Sequence, residues 1–596
     1  MENKSLNELI EQVKQNSFSS SKGFDRRRFL QGAGKVAGVS LGLTIAQSIG
    51  LNAVEVSAAA PKFSSYPFTL GVASGDPLAD SIVLWTRLAP DPLNGGGMPN
   101  QPIPVKWELS EDEDFHRIVK RGTEVARPEL AHSVHVDVKG LKPSHIYYYR
   151  FKSGHELSPV GKTKTLPSAN AEVASMTFAF ASCQQYEHGY FTAYEHMVKE
   201  QLDFVVHLGD YIYEYGPNEY VAASGNVRTH SSAEIQTLQD YRNRHAQYRS
   251  DANLKSAHAV FPWIVTWDDH EVENNYANVI PEKGQSVEAF IQRRAAAYQA
   301  YYEHMPLRQT SLPHGTDMRL YRDFSYGKLA SFQVLDTRQY RDDQANGDGT
   351  KPQTPESLDP KRTLLGIEQE KWLFTNIEKS ACHWNVLAQQ IFFAPRKFGT
   401  AAKPTYSMDA WDGYTANRQR VIDFIEKKKL ENVIVLTGDV HANWASNLHT
   451  DFSNLNSRII GAEFVGTSIT SGGNGADKRA DTDKILSQNP HLTFFNDYRG
   501  YVRCTVTPDI WQADYRVMPF VTEPGAEIST RASFQYKKDG KGMTEVKVNN
   551  VPRGLKISKE VEEDRMRAHG KAHEKQELKK KEKVGKRHCT NRRCAR

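Results

Sequence analysis

Apolar and polar positions follow two regimes along this chain. From about Phe63 to Leu166 the apolar residues come in short runs, with no helical period between them. Ser81–Thr86, Val105–Leu109, His132–Val138 and Tyr147–Phe151 are rich in β-branched and aromatic residues, which predicts strands. Gly95-Gly96-Gly97 and Gly140-Leu141-Lys142-Pro143 mark the turns. Several short strands without helices predict a β-sandwich, with an extension of a larger sheet as the alternative. From Met176 onward the pattern changes. Compact apolar runs (Met176–Ala181, Phe204–Leu208, Phe261–Trp267, Asn432–Thr437) alternate with stretches of helical character at Ala193–Glu200, Ser286–His304, Gly366–Ser380 and Arg418–Lys429. Strands alternating with helices predict an α/β layer architecture. No fixed-period repeat is present.

The ends differ from the body. Asp25-Arg26-Arg27-Arg28-Phe29-Leu30, followed by a Gly/Ala-rich apolar run, resembles a twin-arginine export signal. The run from Val36 to Leu51 is too short and Gly-rich for a spanning helix, and Ser57-Ala58-Ala59 offers a small-residue cleavage site. The expected segments are a signal at 1–59, a β-domain at 60–168, an α/β domain at 169–556 and a C-terminal helix with a basic tail at 557–596. The expected location is outside the cell or in the wall, reached through the twin-arginine machinery, with no stable membrane span after processing. At 596 residues, 39% hydrophobic and 25% charged, the composition is that of a globular protein. The net charge of +5 is weak support for a nucleic-acid partner. Five Cys in such a length do not form a disulfide scaffold; Cys589 and Cys594 are the one plausible local pair.

Chemistry-bearing residues cluster where the apolar runs end. Ala181-Ser182-Cys183 places a thiol at a strand end, where a thiolate can ligate a transition metal. Gly209-Asp210-Tyr211-Ile212-Tyr213 follows the next strand. An Asp there can bridge two metals, and a phenolate three residues on can reach the same ion. Trp267-Asp268-Asp269-His270-Glu271 packs adjacent carboxylates that repel unless a cation or solvent separates them. Asn274 and Asn275 add neutral oxygens, a set that suits calcium or magnesium, and His270 is left to donate a proton or hold a phosphate oxygen. In Gly438-Asp439-Val440-His441 alternate residues face one way, so Asp439 and His441 can converge. Arg338, in Leu335-Asp336-Thr337-Arg338, is a candidate bidentate phosphate clamp, with a structural ion pair as the alternative. Gln389-Gln390 reads as supporting structure.

Taken together, these stretches make the chain similar to the PhoD-type alkaline phosphatase/phosphodiesterase family. That resemblance implies a four-layer αββα metallophosphoesterase sandwich preceded by an all-β Ig/fibronectin-like domain. It also implies an iron(III) centre with calcium ions, similar to a purple acid phosphatase site. Carried onto this sequence, Cys183, Tyr213 and His441 fall on the iron side, Asp210 bridges, and Asp269, Asn275 and Asp439 fall on the calcium side. Asp268 against Asp269, and Asn274 against Asn275, stay open. The expected function is secreted hydrolysis of phosphate mono- and diesters for phosphate scavenging, with wall teichoic acid as a source by family analogy. A metal-bound hydroxide is the expected nucleophile and His270 the expected acid. The rivals are a wall- or phosphate-binding protein with structural metals and a two-metal nuclease, which would want a basic, aromatic-lined groove.

Overall fold

The computed structural model describes residues 62–282, 284–538 and 541–546. The twin-arginine stretch, the expected cleavage site, the expected helix at 561–582 and Cys589 and Cys594 lie outside these described residues. Phe63–Lys152 and the described residues from Glu156 belong to one unit, which holds the elements below.

Among the described residues the strands form a ten-stranded sheet, a seven-stranded sheet and two smaller ones. At the middle of the larger sheet Met176–Ala181, Phe204–His207 and Pro262–Val265 run parallel side by side. Arg499–Val506, Ile510–Met518, Ser529–Lys537 and Met543–Val546 extend it antiparallel on one side. On the other side Val72–Gly75 pairs parallel with Pro262–Val265, then Ser81–Arg87 and Ser133–Lys139 follow antiparallel. Strands from the first hundred or so residues therefore continue the sheet that carries the later motifs. In the second sheet Ala330–Val334, Trp384–Ala388, Val433–Thr437 and Ile459–Val465 run parallel in that order.

Period-two alternation sends successive side chains of each strand to opposite faces. Phe178, Phe180, Phe204, Val206 and Ile264 pack with Phe332, Val334, Val386, Ile434 and Leu436 of the second sheet. Phe178 stacks on Phe204 at 5.0 Å and meets Phe332 edge-on at 5.4 Å. The intervening residues Ala179, Ala181, Val205, Trp263 and Val265 join Tyr194, Tyr241, Leu254, Phe290 and Tyr298, which helices supply. On the second sheet Leu387, Val433 and Val435 pack with Leu373, Ile377, Val421 and Ile422. Each such buried apolar side chain contributes about 1.5–3 kcal/mol. Ser81–Arg87 divides in the same way. Ile82 and Leu84 build a core with Val105, Val136, Tyr149 and Phe151, while Trp85 turns toward Leu70, Ala73 and Ala246 and donates its indole N–H to Glu303 O at 3.0 Å.

Helices form at Thr192–Met197, Val287–His304, Gly366–Lys379 and Thr415–Lys427, within a few residues of expectation. Ser286 caps the second of these by accepting from Ala289 N, which sets its start. Three further helices, Leu238–Arg249, Ala252–Val260 and Thr482–Gln488, were not anticipated. The first begins with a capping box of Thr237 and Asp240, but it buries Arg244, His245, Gln247 and Arg249, so no apolar stripe marks it. No helix among the described residues is long and apolar enough to cross a membrane.

Several histidines are buried in the neutral form. His188 accepts from Gly472 N at Nδ1 (2.9 Å), so Nε2 carries the proton and meets Tyr220 O at 3.1 Å. Burial lowers its pKa to about 4, and lowers His207 and His245 to about 3. An unfolded His titrates near about 6.5. As pH falls, the unfolded chain therefore takes up the proton first. The stability that neutral His188 provides is complete above about pH 6.5 and is lost as pH falls toward 4, by at most about 3 kcal/mol. The gap in urea midpoint between wild type and His188→Gln is expected to narrow between pH 7 and pH 4. A gap independent of pH would contradict a neutral buried His188.

Candidate metal centre

The parallel strands of both sheets point their carboxyl ends at one place. Cys183 and Asp210 lie just past Met176–Ala181 and Phe204–His207, Asp268 past Pro262–Val265, Arg338 past Ala330–Val334 and Asp439 past Val433–Thr437. Cross-links between the sheet ends lock this convergence. Ile469 N donates to Ser182 O (3.0 Å), and Gln390 Nε2 donates to Thr266 Oγ1 (2.9 Å). Gly209 has φ of +103°, and a Cβ there would stand 2.3 Å from Asp268 N. Only glycine lets these two strand ends approach so closely.

The loops that present the donors are strained. Cys183, Asp210, Asn275, Asp439 and His441 all sit in the left-handed region, with φ between +51° and +63°. Each such residue costs on the order of 1–3 kcal/mol and persists where its surroundings dictate it. Five candidate site residues sharing that conformation point to selection for side-chain placement over local comfort.

The donors fall into overlapping groups whose atoms lie within 4.8 Å of one another: Cys183, Asp210 and His441; Asp210, Asp269 and His270; Asp268, Asp269 and Asp439. Asp210 and Asp269 are each shared. One end thus offers sulfur and imidazole, the other only carboxylate oxygen. Tyr213 joins the first end, donating its hydroxyl to Asp210 Oδ2 (2.8 Å) beside His441 Nε2 (3.1 Å) and accepting from Ser471 Oγ (2.8 Å). Asp210 Oδ1, Asp268 Oδ2 and Asp269 Oδ1 are buried without a hydrogen-bond partner. Asn275 reaches the oxygen end by its backbone, donating N–H to Asp269 Oδ2 (2.7 Å), while its amide turns to Asp348 Oδ2 (2.9 Å). Asn274 donates its backbone N–H to Glu214 Oε1 at 2.8 Å.

Burial, reinforced by neighbouring carboxylates, raises the pKa of Asp210 and Asp268 well above the usual range and pushes Asp439 up to about 6. Burial likewise raises the Cys183 thiol and the Tyr213 phenol. Burial and the Arg499 charge hold the pKa of His441 well below its ordinary value, which favours the neutral imidazole. Unpartnered oxygens, repelling carboxylates and a neutral His make a donor set that fits cations.

His270 stands against Tyr213 with ring centroids 4.1 Å apart, and its Nδ1 meets Glu214 Oε2 at 2.7 Å. Burial opposes its protonation, but Glu214, Asp269 and Asp210 outweigh it and raise its pKa well above the ordinary value. Glu271 is no donor to the cluster. Its carboxylate accepts from the N–H groups of Asp210 (3.1 Å), Tyr211 (2.6 Å) and Asp268 (2.9 Å) and staples two strand ends together.

Carboxylates engage two of the three Arg338 nitrogens, while its buried Nη2 has no hydrogen-bond partner. Its side chain is fully buried; Nη1 donates to both oxygens of Asp409 (2.9 and 3.0 Å) and Nε to Asp268. Nη2 lies 3.6 Å from Asp269 Oδ1 and 3.5 Å from Asp439 Oδ1. A guanidinium this deep has to be paired, and the nearest anions are the protein's own carboxylates.

The PhoD-like phosphatase model matches residues 178–515, and the model of the PhoD-like phosphatase N-terminal domain matches residues 54–167. The chain belongs to the PhoD-like phosphatase family. It is 73% identical over 579 residues to alkaline phosphatase D of Bacillus subtilis (strain 168), covering 97% of this chain and 99% of the relative. It also matches the solved structure of PhoD with a TM-score of 0.85 and 75% identity, covering 87% of this chain and 100% of that one. In this PhoD-like phosphatase the mixed sheets are accordingly those of a PhoD fold, and the converging donors sit within the matched residues.

Sequence reading missed three supports of this phosphatase site. Asp409 holds Arg338 and also Arg341 (2.6 Å), but it follows no apolar run that would have flagged it. Glu214 stands next to Tyr213 and was visible only as a further acid. Ser471 precedes Gly472-Gly473-Asn474-Gly475, a stretch with no acid or His to mark a site. Replacing Asp409 by Asn leaves two buried guanidinium groups underpaired. The expected loss is about 3–5 kcal/mol in urea unfolding; a loss below 1 kcal/mol would show that Asp409 does not hold the cluster.

Proposed function

We propose that this phosphatase hydrolyses phosphate mono- and diesters outside the cytoplasm, using iron(III) at its sulfur- and imidazole-bearing end and calcium at its carboxylate end. The observation that carries this reading is the graded donor set: overlapping groups that pass from Cys183, Tyr213 and His441, through shared Asp210 and Asp269, to Asp268 and Asp439. Thiolate, phenolate and imidazole suit a transition metal, and all-oxygen ligation suits calcium. On this reading Cys183, Tyr213 and His441 hold iron, Asp210 bridges, and Asp269 and Asp439 hold calcium, with Asn275 beside them. Asp268 is the ligand less favoured of the acidic pair, because one of its oxygens already accepts from Arg338.

When bound, these cations supply charge neutralisation for phosphoryl oxygens and acidify water for attack on phosphorus. The chain's own residues do the rest. Glu214 holds His270 at Nδ1 and favours its protonated form, so Nε2 is free to protonate the leaving oxygen or to hold a phosphoryl oxygen. Tyr213 fixes the tilt of that ring by stacking. Arg338 and Asp409 keep the carboxylates in place, and the unpartnered Nη2 of Arg338 is left to meet a phosphoryl oxygen. The inter-sheet core and the two sheet–helix cores support an αββα sandwich, and the core shared by Ile82, Val105 and Tyr149 supports an Ig/fibronectin-like arrangement before it. The Arg26-Arg27-Arg28 stretch supports twin-arginine export, phosphate scavenging is the role that fits, and an anionic wall polymer such as teichoic acid is a candidate source.

Two outcomes test the reading. Asp210→Ala is expected to lower turnover of an aryl phosphate ester at least about a hundredfold with the circular dichroism spectrum retained; unchanged turnover removes the site assignment. Metal analysis of the purified enzyme is expected to find one iron with calcium, and a broad visible charge-transfer band that Tyr213→Phe or Cys183→Ser shifts or abolishes. Zinc or manganese alone, without a band, would replace the mixed centre by an ordinary two-metal site.

A further inference from the structure

A run of aromatic rings leads from the donor cluster to the surface, and the reaction as read above uses only its inner half. His270 lies with Asp210 and Asp269 in one of the overlapping groups. Glu214 takes its Nδ1 at 2.7 Å, so Nε2 is the nitrogen that meets a leaving oxygen. Around that imidazole the rings continue outward. Tyr213 stacks on it, and Tyr215 is tilted against it with centroids 5.4 Å apart. Tyr220 stands 5.6 Å from Tyr215 and 6.3 Å from Tyr213. Tyr213 is buried, whereas Tyr215 and Tyr220 are half-buried.

The outer two rings are held by their main chain. Tyr215 O accepts from Arg244 Nη1 at 2.8 Å. Tyr220 O accepts from Asn226 Nδ2 (3.1 Å) and from neutral His188 at Nε2 (3.1 Å), whose ring also meets the Tyr220 ring edge-on at 4.5 Å. Tyr220 belongs to a loop, residues 216–226, that is fastened at several further points. The buried Glu187 carboxylate accepts from Asn218 N (3.2 Å) and Asn226 Nδ2 (3.4 Å), and Asn226 Oδ1 accepts from Ala222 N (3.2 Å). Ser224 Oγ accepts from Asn474 N at 3.0 Å, which docks the loop on the segment carrying Ser471, the donor to Tyr213. Gly473 permits that contact, since a Cβ there would stand 2.8 Å from Ala222 Cβ. A loop with these anchors presents a fixed surface to the site. Its outer side is apolar, for Val221, next to Tyr220, is exposed.

Rings that served only to pack Tyr213 would be covered. Tyr215 and Tyr220 instead keep part of their surface open beside the imidazole that faces the leaving oxygen. An alcohol attached to that oxygen lies along them. Aromatic faces and edges favour flat, carbon-rich partners in offset or edge-on contact.

We propose that Tyr215 and Tyr220 form a ledge that binds the leaving alcohol of the ester and favours alcohols carrying a ring. This role rests on the phosphatase reading above and on His270 as the group at the leaving oxygen. The contact lies away from phosphorus, so substrate and transition state make it alike, and it acts on KM more than on kcat.

The test compares phenyl phosphate with glycerol phosphate on the metal-loaded enzyme, with inorganic phosphate as inhibitor. Tyr220→Ala is expected to raise KM for phenyl phosphate about three- to tenfold. The KM for glycerol phosphate, kcat for both esters, the phosphate inhibition constant and metal content should stay near wild type. Tyr220→Phe, which keeps the ring, should keep the wild-type preference. Tyr215→Ala should shift the ratio of the two KM values in the same direction and tests the ledge independently. An unchanged ratio in both Ala variants overturns the proposal. So does an equal rise for both esters, or loss of metal, either of which would make these rings a support of Tyr213 only. Failure of the phosphatase reading looks different: the wild-type enzyme itself would turn over neither ester.

Discussion

Repulsion among buried carboxylates is the constraint on which this structure turns. Asp210, Asp268 and Asp269 are buried and converge with half-buried Asp439 at the ends of two sheets, where isolated negative charges are strongly unfavourable. The chain offsets part of that charge with Arg338, but Arg338 can enter only because Asp409 completes its pairing, and Asp409 in turn engages Arg341. What remains is a cluster still short of positive charge, with carboxylate oxygens that no protein donor reaches. A site in that condition is prepared for cations.

Such a cluster demands rigid support, and the fold provides it through backbone rather than long side chains. Glu271 ties three amides of two strand ends, Gly209 lets those ends meet, and five donors are held in left-handed conformations that a loose loop would relax. The aromatic core between the sheets fixes how far apart the strand ends stand. Continuation of the sheet by Val72–Gly75 adds a parallel neighbour to Pro262–Val265, the strand that leads into Asp268. The N-terminal strands thereby share a hydrogen-bonded sheet with the site instead of hanging beside it.

Much of the centre was legible in the sequence because its donors follow apolar runs at short, regular offsets. A strand end next to Gly-Asp or Asp-Asp-His carries its own context, so Cys183, Asp210, Asp269, Asp439 and His441 could be named before any fold was known. Asp409 could not, since it sits in an irregular loop and matters only through Arg338. Arg338 stayed open between a phosphate clamp and an ion pair, because Leu-Asp-Thr-Arg after a strand says nothing about how deeply the guanidinium is buried. Leu238–Arg249 escaped for a related reason: its buried face mixes Tyr and Ala with Arg, His and Gln, which periodicity treats as exposed.

By itself the sequence determined the strand ends, the types of donor placed on them and the family to which they belong, because each is written in local order and side-chain chemistry. The tertiary structure alone decided which charges face one another. Pairing of Arg338 with Asp409, the stapling by Glu271 and the turn of the Asn275 amide toward Asp348 all join residues far apart in the chain. Their energies depend on distance and burial, and neither quantity exists until the two sheets have closed on each other.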